Sequence, residues 1–218
     1  MFIAIEGVLN AGEVAALHEA AQSLSFTDGR ATAGKIAREI KANDQAIASP
    51  ELAAVQAKVT AALMAHPVFT SAARPKAMSA LILSRYRKGQ TYGMHVDDAL
   101  MGAIRTDLSF TLFLTDPERY EGGALIVADT AEERAFKLNA GDLILYPSTA
   151  LHRVEPVAKG TRLCVVGWVQ SWIRSTEQRE ILFDLDRAVV DVHGREGKSA
   201  LLDTLTKTRS NLLRLWAS

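Results

Sequence analysis

The stretch Leu108–Leu114, with the sequence LSFTLFL, is apolar apart from one serine and one threonine and includes two phenylalanines. A short run of this composition is typical of a buried β-strand. Similar runs occur at Ala80–Leu83, Ala124–Val127, Leu143–Tyr146 and Leu163–Val166. Turn signals with Gly, Pro or Asn separate them. The pattern therefore predicts a sandwich or jelly roll of short strands rather than a βαβ sheet.

The hydrophobic pattern of the sequence divides the chain into residues 1–76, 77–174 and 175–218. The first segment is predicted to be helix-rich, because Gly12–Leu24 and Ser49–Ala65 both show helical spacing, the second with a serine cap and a first-turn proline. The middle segment carries the strands. We expect the first segment to pack on this strand core, which gives an α+β fold with N-terminal helices.

The last segment returns to helical patterning. Ser175, with Gln178 three residues later, matches the start of a helix, and His193–Gly197 is predicted to be a loop before a final leucine-rich helix. We expect these two helices to pack as an antiparallel pair against the strand core. The apolar last helix could equally contact a second copy of the chain, so a homo-oligomer is one expectation. Residues 28–47 favour no particular element.

The composition narrows the class of protein. Lys and Arg total 25 and so do Asp and Glu, so the basic excess of a nucleic-acid binder is missing. The single cysteine, Cys164, lies in an apolar run, which predicts a small buried side chain and excludes an internal disulfide. No long apolar segment predicts a membrane span, and the start of the chain does not resemble a signal peptide. We expect a soluble, cytoplasmic protein with no nucleic-acid or membrane partner.

Two histidines and one aspartate follow predicted strands. His95 and Asp97 are expected in a loop just past the strand that ends near Tyr86, and their spacing of two puts both side chains on one side. His152 follows the strand Leu143–Tyr146. Two imidazoles and one carboxylate are the ligands that hold a non-haem Fe(II) ion on one face. Because composition alone often supplies His-x-Asp, an iron site and a chance match both remain open from spacing alone.

The remaining histidines, His18, His66 and His193, have no carboxylates at ligand spacing and are predicted to face solvent.

Arg162 stands ten residues after His152, beyond a predicted turn at Lys159-Gly160. A hairpin there would bring Arg162 beside the strand of His152, inside an apolar wall. An arginine in that position needs an anion, and its planar fork suits a carboxylate. A surface ion pair with Glu155 across the hairpin is the alternative, and the sequence favours neither.

These residues belong to longer motifs that resemble the PKHD-type hydroxylase family of Fe(II)/2-oxoglutarate dioxygenases, which is related to prolyl 4-hydroxylases. The similarity runs through most of the chain. The motifs are SRYRKGQTYGMHVD (84–97), YEGG (120–123), YPSTALHRV (146–154), GTR (160–162), WVQS (168–171), LFDLD (182–186) and NLLRLW (211–216). Two positions depart from the family pattern: Asp98 stands where Asn is common, and Ala124 where Glu often follows the two glycines. Both bear on substrate contacts.

The resemblance implies that His95, Asp97 and His152 ligate the iron. It implies that Arg162 binds the distal carboxylate of 2-oxoglutarate and that Tyr86 helps to hold the same co-substrate. The implied fold of residues 77–174 is a double-stranded β-helix, or jelly roll.

The implied cofactors are Fe(II), 2-oxoglutarate and L-ascorbate as a reductant. The implied reaction uses O₂ to hydroxylate a C–H bond of a small molecule or an amino-acid side chain, and it releases succinate and CO₂. A link to iron homeostasis is expected, because family members are linked to iron uptake. Two alternatives stay open: a non-catalytic sensor of iron and 2-oxoglutarate, and a cupin-like Zn or Mn enzyme that has no need of Arg162.

Overall fold

The computed structural model describes residues 2–34, 36–129 and 131–218. Its α-helices are Ala11–Ser23 (α1), Pro50–Ala65 (α2), Pro67–Ala73 (α3), Thr176–Glu196 (α4) and Ala200–Trp216 (α5). Its strands are Ile3–Ile5 (β1), Phe26–Asp28 (β2), Lys41–Ala42 (β3), Asp44–Ala46 (β4), Pro75–Met78 (β5), Ile82–Arg87 (β6), Thr91–His95 (β7), Leu100–Met101 (β8), Ile104–Arg105 (β9), Leu108–Phe113 (β10), Tyr120–Gly122 (β11), Leu125–Ala128 (β12), Glu133–Phe136 (β13), Leu143–Pro147 (β14), His152–Val154 (β15) and Val157–Ser171 (β16). Short 3-10 helices occupy Gly29–Thr32, Ala37–Glu39 and Pro117–Arg119.

All the strand pairs of the described residues are antiparallel, and most belong to two sheets. The larger sheet has the order β1-β14-β10-β16-β6-β4-β2, and β5 and β11 also pair with the long strand β16. The smaller sheet has the order β13-β12-β15-β7-β3, and β8 and β9 form a separate hairpin. The predicted combination of helices with short antiparallel strands is confirmed. The first 76 residues also supply strands to both sheets, among them β3 and β4.

Strand β10 shows how the two faces of the larger sheet are used. All six of its residues are buried, and they alternate between two cores. Leu108, Phe110 and Leu112 pack with residues of α1, α2 and α3 on one face. Phe113 packs on the other face with Tyr146, between the two sheets. The apolar run is continuous because both faces of the strand are covered, as the period of two in a strand requires.

The helix starts agree with the caps that the sequence predicts. The Ser49 hydroxyl accepts the backbone N–H of Leu52 at 3.1 Å, and the Ser175 hydroxyl accepts that of Gln178 at 3.2 Å. The predicted loop at residues 193–197 is wrong. Helix α4 continues to Glu196, and Gly197 ends it with a φ of 63°, a backbone conformation that glycine adopts without strain.

Helix α5 packs along α4, and one buried carboxylate joins them to α3. Asp186 on α4 accepts a hydrogen bond from Arg74, the residue after α3, at 2.5 Å, and it also pairs with Arg209 of α5. The two guanidinium groups share this one carboxylate, and the pairing limits the cost of burying Asp186. The predicted helical pair is present, and this cluster fixes its position on the helical layer.

Two predictions about the strands near the site are wrong. His95 is the last residue of strand β7 rather than part of a loop. The chain also makes no hairpin at Lys159-Gly160, since both residues lie inside β16. Strand β15, with His152, belongs to the smaller sheet, whereas β16, with Arg162, belongs to the larger one. The two strands diverge around Pro156, so Arg162 comes to the cavity from the opposite sheet.

We expect Phe110→Ala to lower the free energy of unfolding by about 3–5 kcal/mol, because the Phe110 side chain is 1% exposed and packs edge-on against Phe69 with ring centroids 5.8 Å apart. Chemical denaturation measures this change. The control is Leu215→Ala on α5, where the leucine is 75% exposed and the change should stay within about 0.5 kcal/mol. Equal losses in the two variants would contradict this description of the core.

Candidate metal centre and its cavity

The pairing of β7 with β15 brings two histidines together. His152 lies directly opposite His95 in the register, and the pairing is irregular between His152 and Val154. Side chains that are directly opposite on antiparallel strands lie about 5 Å apart at Cβ, so their tips can meet. The two imidazole rings accordingly have centroids 4.2 Å apart.

Asp97 completes the group from a position two residues beyond the end of β7. Its Oδ1 lies 4.0 Å from Nε2 of His95, and its Oδ2 lies 3.7 Å from Nε2 of His152. One ligand atom from each of the three residues lies within 4.8 Å of the others. Bonds of about 2.1 Å from donors on either side of an ion span about this distance. The arrangement can therefore hold a single transition-metal ion.

Hydrogen bonds fix which nitrogen of each imidazole faces the group. Nδ1 of His95 donates to the carbonyl of Gly93 at 2.8 Å, and Nδ1 of His152 donates to the carbonyl of Ala150 at 3.0 Å. A nitrogen that donates to a carbonyl carries the proton, which leaves Nε2 with a free lone pair. Both Nε2 atoms are thus prepared as metal ligands in the way that backbone carbonyls orient such histidines.

Burial keeps one of these histidines neutral. The pKa of His95 is lowered to about 4, mainly because burial disfavours the charged ring and also because His152 lies beside it. The ring of Tyr92 stacks on that of His95 with centroids 3.6 Å apart. Burial also raises the pKa of Tyr92 to about 12. His95 and Tyr92 are therefore uncharged at neutral pH.

A pair of serines holds the aspartate. The Ser109 hydroxyl of β10 donates to Oδ2 of Asp97 at 2.6 Å, and the Ser148 hydroxyl lies 2.8 Å from that of Ser109. Both serines are buried. This contact links the carboxylate to the larger sheet, so the ligand group is held from both sheets at once.

Arg162 lies at the same cavity but has few partners. Its side chain is 1% exposed, and its printed hydrogen bond goes from Nη1 to the sulfur of Cys164 at 2.9 Å. Among the described residues, its Nε and Nη2 have no hydrogen-bond partner. The predicted ion pair with Glu155 is not formed. The guanidinium instead lies 5.2 Å from the ring centroids of both Tyr86 and Phe113.

The cavity has a volume of about 650 Å³ and is bounded by both sheets. Its lining includes the three candidate ligands, Arg162 and Tyr86. Tyr86 lies opposite Arg162 in the pairing of β6 with β16, and burial raises its pKa well above the usual range. All five residues predicted from the sequence as candidate site residues therefore line one cavity.

Other sequence expectations have mixed outcomes. Asp98 lines the rim of the cavity and is exposed, outside the group of candidate ligands. His18 and His66 are partly buried rather than solvent-facing, and the ring of His18 contacts the carbonyl of Leu114. Cys164 is fully buried, as predicted.

Sequence reasoning missed several polar residues of the cavity. Ser109 was counted within an apolar strand, although the alternation of that strand would have turned it to the same face as Phe113. Lys41, Asn43 and Gln45 lie in the segment that favoured no element.

No single helix of the described residues is long and apolar enough to cross a membrane, and the strongly bent pair α2–α3 passes that test of length and composition only when taken together.

Two family profiles match this chain. The profile described as the 2OG-Fe(II) oxygenase superfamily matches residues 81–170, which contain all five of the residues above. The profile described as the PKHD-type hydroxylase C-terminal domain matches residues 177–218, which cover α5 and all of α4 after its first residue.

Relatives named as PKHD-type hydroxylases match over the full length. One from Maricaulis maris is 48% identical and covers 100% of this chain and 99% of its own. One from Synechococcus elongatus is 49% identical and covers 100% of both chains. Among solved structures, a Pseudomonas putida prolyl-4-hydroxylase is similar with a TM-score of 0.56 and 20% identity, covering 78% of this chain and 92% of its own. At this low sequence identity, the similarity to the prolyl-4-hydroxylase structure shows the fold alone.

We expect Ser109→Ala to weaken the binding of a divalent metal ion by about 10- to 100-fold, because the Asp97 carboxylate loses the hydrogen bond that orients it. Calorimetric titration with Zn²⁺ measures the affinity. The matched control is Ser71→Ala on α3, whose hydroxyl donates to the carbonyl of Val68 far from the cavity. An unchanged affinity in Ser109→Ala would show that this contact does not position the ligand.

Proposed function

The chain belongs to the PKHD-type hydroxylase family of 2OG-Fe(II) oxygenases, and on that premise we propose which of its residues hold the metal and the co-substrate. It is an Fe(II)- and 2-oxoglutarate-dependent dioxygenase that acts as a hydroxylase. We propose that His95, Asp97 and His152 bind the Fe(II). The observation that carries this assignment is the convergence of their three ligand atoms within 4.8 Å. The donor set of two imidazoles and one carboxylate suits Fe(II) and leaves coordination positions open.

Arg162 is proposed to bind the distal carboxylate of 2-oxoglutarate. Its unpartnered Nε and Nη2 support this role, because a buried guanidinium without an anion is costly. A carboxylate would accept two parallel hydrogen bonds from that edge of the fork. Tyr86 is proposed to pack along the same co-substrate, since its ring lies beside the guanidinium. A Zn or Mn enzyme that does not use 2-oxoglutarate would leave Arg162 without a function.

When bound, Fe(II) and 2-oxoglutarate supply the oxidising chemistry: O₂ is consumed, a substrate C–H bond is hydroxylated, and succinate and CO₂ are released. The residues of this chain position and shield that chemistry. The carbonyls of Gly93 and Ala150 accept hydrogen bonds from Nδ1 of the two imidazoles, which would leave each Nε2 free for the metal, and the Ser109 hydroxyl holds Asp97. Apolar residues of the inner core, among them Leu125 and Val154, exclude water from the interior end of the cavity.

Several finer features are part of the same proposal. We propose that the two sheets form a double-stranded β-helix and that residues 1–76, 77–174 and 175–218 are its helix-rich start, its core and its C-terminal extension. The core shared between the two sheets supports the double-stranded β-helix. The ends of the two family profiles, at residues 170 and 177, support the boundary between the core and the C-terminal extension. Five further points stay predictions. They are L-ascorbate as a reductant, a cytoplasmic location, a role in iron homeostasis, a homo-oligomer through α5, and the lack of a nucleic-acid or membrane partner.

The substrate is proposed to be a small molecule or an amino-acid side chain that enters the open part of the cavity. The non-catalytic sensor that the sequence left open is not favoured, because the full-length relatives are named as hydroxylases. Turnover separates the two, since an enzyme of this family releases succinate with a substrate present, whereas a sensor does not.

The metal assignment predicts a visible absorption band. Anaerobic addition of Fe(II) and 2-oxoglutarate should give the weak charge-transfer band of the chelate, because the keto acid would bind the metal held by the three side chains. Absorption spectroscopy of the folded protein tests this, with His152→Ala as the variant that lacks one ligand. A band that survives unchanged in His152→Ala, or no band in an iron-loaded sample, would contradict the assignment.

The co-substrate assignment predicts that Arg162→Met raises the concentration of 2-oxoglutarate needed for half-saturation by roughly 10- to 100-fold, since a charge-assisted contact is lost. Metal affinity should stay near that of the unmodified protein. Arg87→Met is the control, because Arg87 is exposed and its guanidinium contacts Asp44 outside the cavity. Spectroscopic titration of the chelate measures both variants, and an equal half-saturation in all three proteins would rule out this role.

A further inference from the structure

Lys41 is a buried cation in the cavity that has no part in the metal and co-substrate sites proposed above. Strand β3 carries it at the edge of the smaller sheet, where Lys41 pairs with Tyr92 of β7. Its residue is 8% exposed, and it lines the same cavity as His95 and Asp97. Arg162 reaches this cavity from the larger sheet, so the two cations belong to different walls.

The ammonium of Lys41 is held by one neutral contact. Its Nζ donates to the Thr32 hydroxyl at 3.0 Å. That hydroxyl lies 2.8 Å from Oε1 of Gln45 and 3.0 Å from the carbonyl of Gly29, so its proton is directed to one of these acceptors. A lone pair of Thr32 is thereby turned to Lys41. The hydrogen bond from Lys41 to Thr32, and that from Thr32 to Gln45 or Gly29, thus hold the ammonium in position.

The charge of Lys41 lacks a direct counter-ion. Within the described parts of the chain, no carboxylate forms an ion pair with its Nζ, and an ammonium has three donors of which Thr32 takes one. The ring of Tyr92, 4.9 Å from Nζ, contributes a cation–π contact. Burial lowers the pKa of Lys41 to about 8 although Asp97 acts in the opposite direction. A buried charge in this state gains from an anion that binds to it.

The indole of Trp168 is a second unsatisfied donor at this cavity. Trp168 lies on β16 and lines the cavity, and its Nε1 is buried without a hydrogen-bond partner among the described residues. An indole N–H can only donate. Other lining residues, such as Met101 and Ile104, are apolar. The cavity lining therefore holds donors without partners among apolar side chains, and a ligand with acceptor groups would satisfy the ammonium of Lys41.

Resting on the proposed function, we propose that Lys41 binds a carboxylate of the substrate, and that the substrate is a carboxylate-bearing molecule. Under that function, the two carboxylates of 2-oxoglutarate already have Arg162 and the metal as partners. The free donors of Lys41 then remain for a third carboxylate. Because the ring of Tyr92 contacts both Lys41 and His95, this carboxylate would be fixed close to the metal. Lys41 is thus a residue that selects and orients the substrate.

The test uses acetate as the probe and acetamide as its neutral counterpart of the same size. The full chain, labelled with ¹³C at its lysines, is loaded with Zn²⁺ in place of Fe(II) and with saturating 2-oxoglutarate. NMR spectroscopy then follows the Cε–Hε signals of the lysines during each titration. Acetate should shift the one signal that is missing in Lys41→Met, and acetamide should leave it in place. The control Lys76→Met, which removes a lysine that lies over Trp172 outside the cavity, should keep the acetate response.

Two results would overturn the proposal. One is a Lys41 signal that stays in place with acetate up to about 100 mM, or that responds equally to acetamide, since even weak specific sites bind in the millimolar range. The other is a Lys41 signal that moves fully when 2-oxoglutarate binds and then ignores acetate, which would assign this cation to the co-substrate.

Failure of the proposed function has a different signature. Zn²⁺ or 2-oxoglutarate would then not bind during loading, which the signals of labelled 2-oxoglutarate report directly. The acetate and acetamide titrations of the unloaded chain would still read Lys41 through its own signal: a shift with acetate alone would support the carboxylate site, and no shift or an equal shift with acetamide would overturn it.

Discussion

The pairing of β7 with β15 is the constraint on which the rest of the site depends. It sets His152 opposite His95, and a slip of one residue would turn either imidazole to the other face of the smaller sheet. The carbonyls of Gly93 and Ala150 then orient the rings. Asp97 needs only to follow at a distance of two residues. The proposed metal centre thus depends on strand register rather than on a local loop.

The second requirement is that both sheets contribute to one cavity. The larger sheet supplies Ser109 and Arg162 from neighbouring strands, and the smaller sheet supplies the histidines. A guanidinium buried between apolar layers is unfavourable by itself, so its presence points to an anion as part of the working state. The same argument applies to Lys41, a second buried cation, which the smaller sheet supplies. Under the proposals above, 2-oxoglutarate would bind to Arg162 and the substrate to Lys41, so the cavity would distinguish the two molecules by their cationic partners.

The sequence predicted the elements better than their contacts. Apolar runs such as Leu108–Leu114 and the serine caps at Ser49 and Ser175 depend on neighbours in sequence, so they could be recognised. Strand β7 was missed because Thr91–His95 is short, has a glycine at its centre and is fixed by pairing with distant strands. The five residues that the family motifs single out line one cavity, although the hairpin expected to bring Arg162 there is absent.

Lys41 could not be recognised from the sequence, because its segment has neither a periodic pattern nor a motif and its position depends on pairing with β7 and on the contact with Thr32. The most direct measurement of the central claim is a crystal structure grown anaerobically with Fe(II) and 2-oxoglutarate. The account predicts one iron ion about 2.0–2.2 Å from Nε2 of His95, Nε2 of His152 and a carboxylate oxygen of Asp97, with the distal carboxylate of 2-oxoglutarate on Arg162. Iron bound elsewhere, or a co-substrate that leaves Arg162 without a partner, would contradict it.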